Sequence, residues 1–271
     1  MARNANKVSG RANSDSGRSP YSPQRQHAIL RTLRASGRVD AADIARQLSV
    51  TSETVRKDII QLERQGLLRR VHGGAVPIGD LSYEPAVTAR VEYAEEKERI
   101  ATAALAQLPS SGSILVDAGS TTARLAALLP DDRELTVFTN ALPIALTLLT
   151  RPHLTVFPIG GRLRSQTLAT VGSWAARMLG DINVDVAFLG TNGISAQRGL
   201  TTPDPEEAAI KRLMLRSAQR KVLLADHSKV GHLSVCKHAD IADIDLLITD
   251  TGLPPDQLAA LRAIGLTVEQ T

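Results

Sequence analysis

Between residues 23 and 66, large apolar residues recur every three or four positions in three separate sets. Ile29, Leu30 and Leu33 mark a first helix from about Pro23 to Ala35. Ser22 is its expected cap, proline sits at its first position, and Ser36-Gly37 ends it. Ile44, Ala45 and Leu48 mark a second helix, from Asp40 as cap to Leu48; Val55, Ile59 and Leu62 mark a third, from Thr51 to Gly66. The stretch "LLRRVHGGAV" (67–76) then predicts a small β-hairpin around Gly-Gly. Residues 1–21 are rich in Ser, Asn, Gly and Arg and read as a disordered basic tail. Residues 78–91 read as a linker, and one helix is expected from about Glu92 to Leu108. Beyond Pro109 the period changes. Short apolar strands ("SILVDAG", "LTVFTN", "LTVFPIGG", "VDVAFLGTNG", "KVLLADHSK", "DLLITD") alternate with helices, the pattern of an α/β domain with a mostly parallel sheet. The expected division is tail 1–21, helical domain 22–77, linker 78–91 and α/β domain 92–271.

Composition narrows the function classes. The chain has 271 residues, 43% of them hydrophobic, enough for two cores. Aromatics are only 3%, which argues against stacking on exposed bases as the main binding mode. Cys236 is the single cysteine, so an internal disulfide and a cysteine metal cluster are excluded, and neither metal nor cofactor is expected. No apolar run approaches the roughly 18 residues of a membrane helix, and no signal-peptide core is visible. A cytoplasmic protein without a membrane partner is expected. The net charge of +4 hides an asymmetry: residues 1–76 carry 14 Lys+Arg against 6 Asp+Glu, while the remainder carries 18 against 22. A basic end on a mildly acidic body points to a polyanion as partner of the first part; the plainer reading is a solubilising tail.

The second and third helices, joined by a tight turn at Ser49-Val50, have helix-turn-helix spacing. A recognition helix sets its N-terminal residues against base edges in the major groove. Thr51, Ser52, Glu53, Thr54, Arg56 and Lys57 occupy that end, with Thr54 and Arg56 assigned at or near bases and Lys57 to phosphate. Arg69, Arg70 and His72 on the hairpin are candidates for a wing along the backbone, making the fold a winged helix-turn-helix. The same geometry also serves in plain helical packing. The stretch "TSETVRKDIIQLERQGLLRRVHGGA" resembles the signature of DeoR-family bacterial transcription regulators, matched from Thr54 through Ala75. The resemblance extends over nearly all of residues 23–252. It implies a C-terminal sensor domain related in fold to ribose-5-phosphate isomerase, and operator DNA read by a homodimer or homotetramer.

"DAGSTT" (117–122) lies between a strand and a helix. Gly119 permits close backbone approach, Ser120, Thr121 and Thr122 offer hydroxyls, and the helix N-terminus favours an anion. An Asp-Gly turn before a capped helix is the competing reading. Other strand ends carry similar sets, at Thr139-Asn140, Gly160-Gly161-Arg162 and Gly190-Thr191-Asn192-Gly193, and ligands of open α/β sheets bind outside such ends. Asp117, Asn140, Gly161, Arg162 and Asn192 are candidates on that ground. Glu207 and Lys211 lie one helical turn apart, as a surface ion pair would; Lys229 follows a strand. By resemblance, Glu207 falls at the isomerase's catalytic glutamate and Lys229 at a substrate-contacting lysine. Where that enzyme carries two carboxylates, this chain has Leu189-Gly190-Thr191-Asn192, which cannot shuttle protons. The chain therefore reads as a repressor, not an enzyme. Its competitor is a sugar-phosphate isomerase with a nucleic-acid tether. "LLPDDRELTVFTNALPIAL", "VDVAFLGTNGIS" and "RGLTTPDPEEAAIKR" resemble the fructose-operon branch, implying fructose 1-phosphate or a related sugar phosphate as effector. The helix at 92–108 is the candidate coupling element by position.

Overall fold

The structure is a computed structural model that describes residues 21–65, 67–77, 81–82, 84 and 86–271. The expected disordered tail, apart from its last residue, lies outside them. The chain divides into two compact units, Met1–Ile78 and Gly79–Thr271.

In the first unit the elements run α1 (Ser22–Ser36), β1 (Val39–Asp40), α2 (Ala41–Gln47), α3 (Ser52–Arg64), β2 (Arg69–Val71) and β3 (Gly74–Val76). Ser22 is not the cap of α1 but its first residue, because its hydroxyl is used elsewhere, donating to Asp58 Oδ1 at 2.8 Å. The apolar stripes meet as read: Ile29, Leu33, Ile44, Ala45, Val55, Ile59 and Leu62 form one core with Val39, Leu68 and Ala75. Leu30 and Leu48 sit at its edge. The hairpin gains a third strand, in the order β1-β3-β2. Its two glycines do different work. Gly73 turns the chain at φ 76°, a left-handed conformation that a side chain disfavours. Gly74 lets β3 lie against β1: a Cβ there would come 1.7 Å from the Val39 carbonyl oxygen.

The second unit opens with α4 (Ala94–Ala104), which starts two residues later than expected because Tyr93 is left-handed (φ 56°, ψ 40°). A short 3-10 turn, Leu105–Gln107, follows. Then come β4 (Gly112–Val116), α5 (Ser120–Ala127), β5 (Leu135–Thr139), α6 (Leu142–Leu148), β6 (Leu154–Pro158), β7 (Arg162–Leu163), β8 (Thr170–Val171) and α7 (Ser173–Gly180). The chain continues through β9 (Val184–Leu189), β10 (Gly193–Ser195), β11 (Gly199–Thr202), α8 (Pro205–Arg216), β12 (Ala218–Leu224), β13 (Cys236–Ala239), β14 (Leu246–Thr249), α9 (Pro255–Ala263) and β15 (Val268–Gln270). Seven strands form one parallel sheet in the order β15-β14-β12-β9-β4-β5-β6.

Period-two alternation explains why these strands read as continuous apolar runs. Ile114, Val116, Val186, Phe188, Val222, Leu224, Leu246 and Ile248 face a core shared with α4, α5 and α6. Leu115, Ala187, Leu189, Leu223 and Leu247 face the other, with α7, α8 and α9. Each fully buried side chain of this size contributes about 1.5–3 kcal/mol. From β4 the chain winds outward to β5 and β6, then returns to β9 on β4's other side, so the winding reverses between β4 and β9. No helix among the described residues is long and apolar enough to cross a membrane.

Candidate functional site

The α2–turn–α3 geometry rests on local caps. Asp40 accepts from the backbone N–H groups of Ala42 (2.8 Å) and Asp43 (3.1 Å). Ser49 adopts φ 52°, and the Val50 N–H returns to the Ala45 carbonyl at 3.0 Å. Thr51 caps α3: its hydroxyl accepts from the Thr54 N–H at 3.2 Å and lies 2.9 Å from the Thr54 hydroxyl. Both threonines are thus tied into the cap. Beyond it, Glu53, Arg56 and Lys57 are exposed and Ser52 is half-buried, with Val55, Asp58, Ile59 and Leu62 inward. Arg56 lies 3.6 Å from Glu53 across an exposed i, i+3 pair, worth little in water. On the hairpin Arg69 is half-buried, while Arg70 and His72 are exposed. Arg70 is anchored to α3, its N–H donating to Glu63 at 2.7 Å and its guanidinium lying 3.7 Å from the same carboxylate. Helix and hairpin are therefore joined through the Glu63–Arg70 contact.

The second constellation lies where the sheet reverses, at the carboxyl ends of β4 and β9, the usual ligand crevice of open α/β sheets. Asp117, just after β4, is buried; its Oδ2 accepts from the Gly190 N–H at 3.1 Å. Lys211 on α8 donates to the same oxygen and, at 2.9 Å, to the Gly190 carbonyl. Burial pushes the Asp117 carboxyl up, and the Lys211 ammonium opposes that. Gly119, Ser120, Thr121 and Thr122, with Thr191, Asn192, Glu207, Lys211, Arg90 and Thr167, line one cleft. No side chain caps the N-terminus of α5 that opens into it. A helix start leaves N–H groups without intrahelical acceptors, and its dipole attracts anions.

Several residues take other places than expected. Glu207 and Lys211 are not a surface pair: both are buried, and each faces a different partner. Glu207 binds Arg164 at 2.6 Å and the Thr167 hydroxyl, because α8 is amphipathic and turns this face toward the sheet. Asn140 lies behind the cleft, accepting from the Ala118 N–H at 3.0 Å and so holding the loop. Gly119 is extended (φ 171°), so its backbone does not demand glycine; the Thr122 hydroxyl donates to its carbonyl at 3.1 Å. Gly161, Arg162 and Lys229 do not line the cleft. A Cβ on Gly161 would meet the Val171 carbonyl at 2.6 Å, so this glycine serves strand packing. Arg162 is drawn outward to Glu206. Lys229 ends a 3-10 turn beyond β12. Leu189 points into the core, and Asn192 accepts from the Thr202 hydroxyl at 3.0 Å. Asp117 and Glu207 are both engaged in ion pairs, which leaves proton transfer poorly served.

The "DeoR C terminal sensor domain" family matches residues 92–251, and the "DeoR-like helix-turn-helix domain" family matches residues 25–79. The chain belongs to the DeoR family of transcription regulators. The HTH-type transcriptional regulator GlpR of Haloferax volcanii is 35% identical over 90% of this chain and 96% of its own. A putative aga operon transcriptional repressor of Escherichia coli O157:H7 is 32% identical over 90% of this chain and 92% of its own. The regulator FruR of Bacillus subtilis is 31% identical over 84% and 91%. Among solved structures, ribose 5-phosphate isomerase A of Methanocaldococcus jannaschii aligns over 49% of this chain and 53% of its own, at 16% identity and a TM-score of 0.37. The relatives carry the names of regulators, not of enzymes.

Within this DeoR-family chain, sequence reasoning missed three groups. Asp58 is buried on α3 and accepts from Arg25 Nε at 2.6 Å, stapling α1 to the recognition helix. Arg164 gathers Glu84 (3.0 Å), Asp204 (3.4 Å) and Glu207 in one network. Lys97 is buried on α4, 3.9 Å from Asp226. A charged residue on the inward stripe of a helix was the available signal for Asp58 and Lys97; Arg164 and Glu84 lie in irregular segments that carry none.

Proposed function

We propose that this regulator represses transcription by holding operator DNA through α3 and the hairpin, and lets go when the phosphate group of a phosphorylated sugar enters the cleft between β4 and β9, about 40 Å³ in volume. The observation that carries this is the buried Lys211 ammonium beside the uncapped start of α5: a fixed cation and a helix N-terminus suit a phosphate. The cleft set is Gly119, Ser120, Thr121, Thr122, Thr191, Asn192, Glu207 and Lys211, with Asp117 and Asn140 supporting it from behind. On the DNA side, Arg56 is assigned near a base edge and Lys57, Arg69, Arg70 and His72 to the backbone. The sugar must favour the arrangement that cannot hold DNA, with a coupling of about 1–3 kcal/mol. Such a regulator works where the DNA is, in the cytoplasm.

Fructose 1-phosphate is the proposed effector. It is supported by the three branch-like segments quoted above. The glycerol-3-phosphate regulon repressor of Escherichia coli K12 is 29% identical over 88% of this chain, so glycerol 3-phosphate is the comparison ligand. Homodimers or homotetramers suit a two-fold operator. A surface for self-association is offered by Phe157 on the edge strand β6 and by Trp174 and Met178 on α7, all exposed, with Met178 Sδ 3.2 Å from the Gly160 N–H.

Fluorescence anisotropy tests the whole reading. The gene's own upstream DNA, at fixed salt, is titrated with protein and then with fructose 1-phosphate, glycerol 3-phosphate and unphosphorylated fructose. Specific binding reversed by one phosphate alone is expected, and Arg56→Ala should weaken DNA binding at least tenfold while leaving the phosphate's affinity unchanged. DNA release by none of the phosphates would refute the sensor assignment.

A further inference from the structure

The described residues of the expected linker, 81–82, 84 and 86–91, are bonded to the sensor unit. The Val235 N–H donates to the Leu81 carbonyl at 3.1 Å. The Gln166 side chain donates to the Glu84 carbonyl, and the Val87 N–H returns to the Gln166 carbonyl at 2.8 Å. The Glu84 carboxylate, only 5% exposed, is held between Arg90 at 2.9 Å and Arg164 at 3.0 Å. Arg164 in turn binds Glu207, a cleft residue. Arg90 itself lines the cleft, beside Gly119 to Thr122 and Lys211. The chain after Arg90 is then locked. The Lys97 ammonium donates to the carbonyls of Arg90 and Glu92, and Tyr93, the next residue, caps α4 in the left-handed region. Non-glycine residues remain in that region only where surrounding contacts fix them.

We propose that Arg90 is a direct ligand of the effector's anionic group, and that the effector acts on DNA binding by tightening the strap of residues 86–97, which follows the hairpin in the chain and enters the sensor. This rests on the cleft being the phosphate site. A guanidinium lining the same cleft as a helix N-terminus, even one paired on one side with Glu84, can grip phosphate oxygens in a bidentate fashion that a lysine cannot. Among the described residues, Arg90 is also the one cleft residue on the chain segment that leads to the DNA-reading unit. Effector binding at Arg90 therefore places a load on the strap itself, where a site confined to β4, β9 and α8 would not.

The test uses the full chain. Fructose 1-phosphate, glycerol 3-phosphate, inorganic phosphate and unphosphorylated fructose are titrated calorimetrically into the native protein, Arg90→Ala and Arg90→Lys. Glu84 keeps Arg164 in the alanine variant, so the fold is expected to hold, and thermal unfolding checks it. Arg90→Ala should weaken the bound phosphate at least tenfold and Arg90→Lys less, with release of operator DNA requiring correspondingly more phosphate. Affinities within twofold of native in both variants would overturn the role of Arg90 while leaving the cleft intact. A native protein that binds none of the phosphates would overturn the cleft reading and this one with it. Hydrogen exchange on the native protein gives an arm independent of any variant: backbone amides of residues 86–92 should slow on saturation with the phosphate that binds, and unchanged exchange there would overturn the strap.

Discussion

At the scale of single residues, the second unit is shaped by buried charge. Burial holds the Lys97 ammonium down to about 8, with Asp226 pulling the other way and Lys229, Arg124 and Arg90 adding repulsion. In the unfolded chain a lysine titrates near 10.4. Between those two values the unfolded chain binds the proton and the folded one releases it, so stability from this group rises with pH across about 8 to 10.4 and is least below 8. Lys97→Met removes that titration. The stability of the native protein relative to this variant should increase between pH 7.5 and 9.5, measured by urea unfolding at each pH; a constant difference would show that Lys97 titrates normally. His238 is pushed well below its usual range by burial, then by Lys211 and Arg212, and is neutral at pH 7. Its Nε2 lies 3.1 Å from the hydroxyl of the cleft residue Thr191. These groups were hard to read from the sequence because their chemistry depends on what packs over them. Lys211 and a surface lysine have the same letter, and only the Asp117–Gly190 corner on the far side of α8 separates them.

At the scale of elements, legibility followed periodicity. The helices, the hairpin and the alternating strands were visible because apolar spacing reports which face is buried. The reader's core residues Ile29, Leu33, Val55, Ile59 and Leu62 meet as their spacing required. What spacing does not encode is a contact made by backbone alone. The pairing of β1 with β3 adds two residues, Val39 and Asp40, to the hairpin, and no two-residue strand has a period. Its trace is Gly74. Replacing it with alanine places a methyl carbon 1.7 Å from the Val39 carbonyl oxygen, which the sheet can relieve only by parting β3 from β1. Forced overpacking of this kind typically costs about 1–3 kcal/mol or more. Gly74→Ala should lower the thermal stability of the reader and weaken operator binding at least tenfold, while the calorimetric affinity for sugar phosphate stays native. Full operator affinity in Gly74→Ala would mean that the wing is not part of the DNA-holding face. The contacts that hold the segment before α4 were illegible for a related reason: they join irregular stretches far apart in sequence, Leu81 to Val235 and Glu84 to Arg164.

At the scale of the whole molecule, charge is divided between the two units. The N-terminal 76 residues carry a net +8 and the remainder a net −4, so the field that attracts DNA is confined to the reader and the sensor repels it. That division sets how the operator complex should respond to salt. Neutralising Z phosphates releases counterions, and log K falls with log[salt] at a slope of about −0.9Z. Lys57 is exposed on α3, one residue beyond Arg56, where a backbone phosphate contact is assigned. If it makes that contact, Lys57→Gln should weaken specific and nonspecific DNA by similar factors and reduce the magnitude of the slope by about one. Arg56, assigned near a base, should behave differently: Arg56→Ala should weaken the operator more than unrelated DNA, compressing the specificity ratio. Anisotropy titrations of both variants at four salt concentrations, on operator and on scrambled DNA, separate the two roles. A slope unchanged by Lys57→Gln would move the phosphate contact to Arg69, Arg70 or His72 on the hairpin. Equal losses on both DNAs for Arg56→Ala would make it a second backbone contact, leaving base reading to the half-buried Ser52 and Thr54 at the helix start.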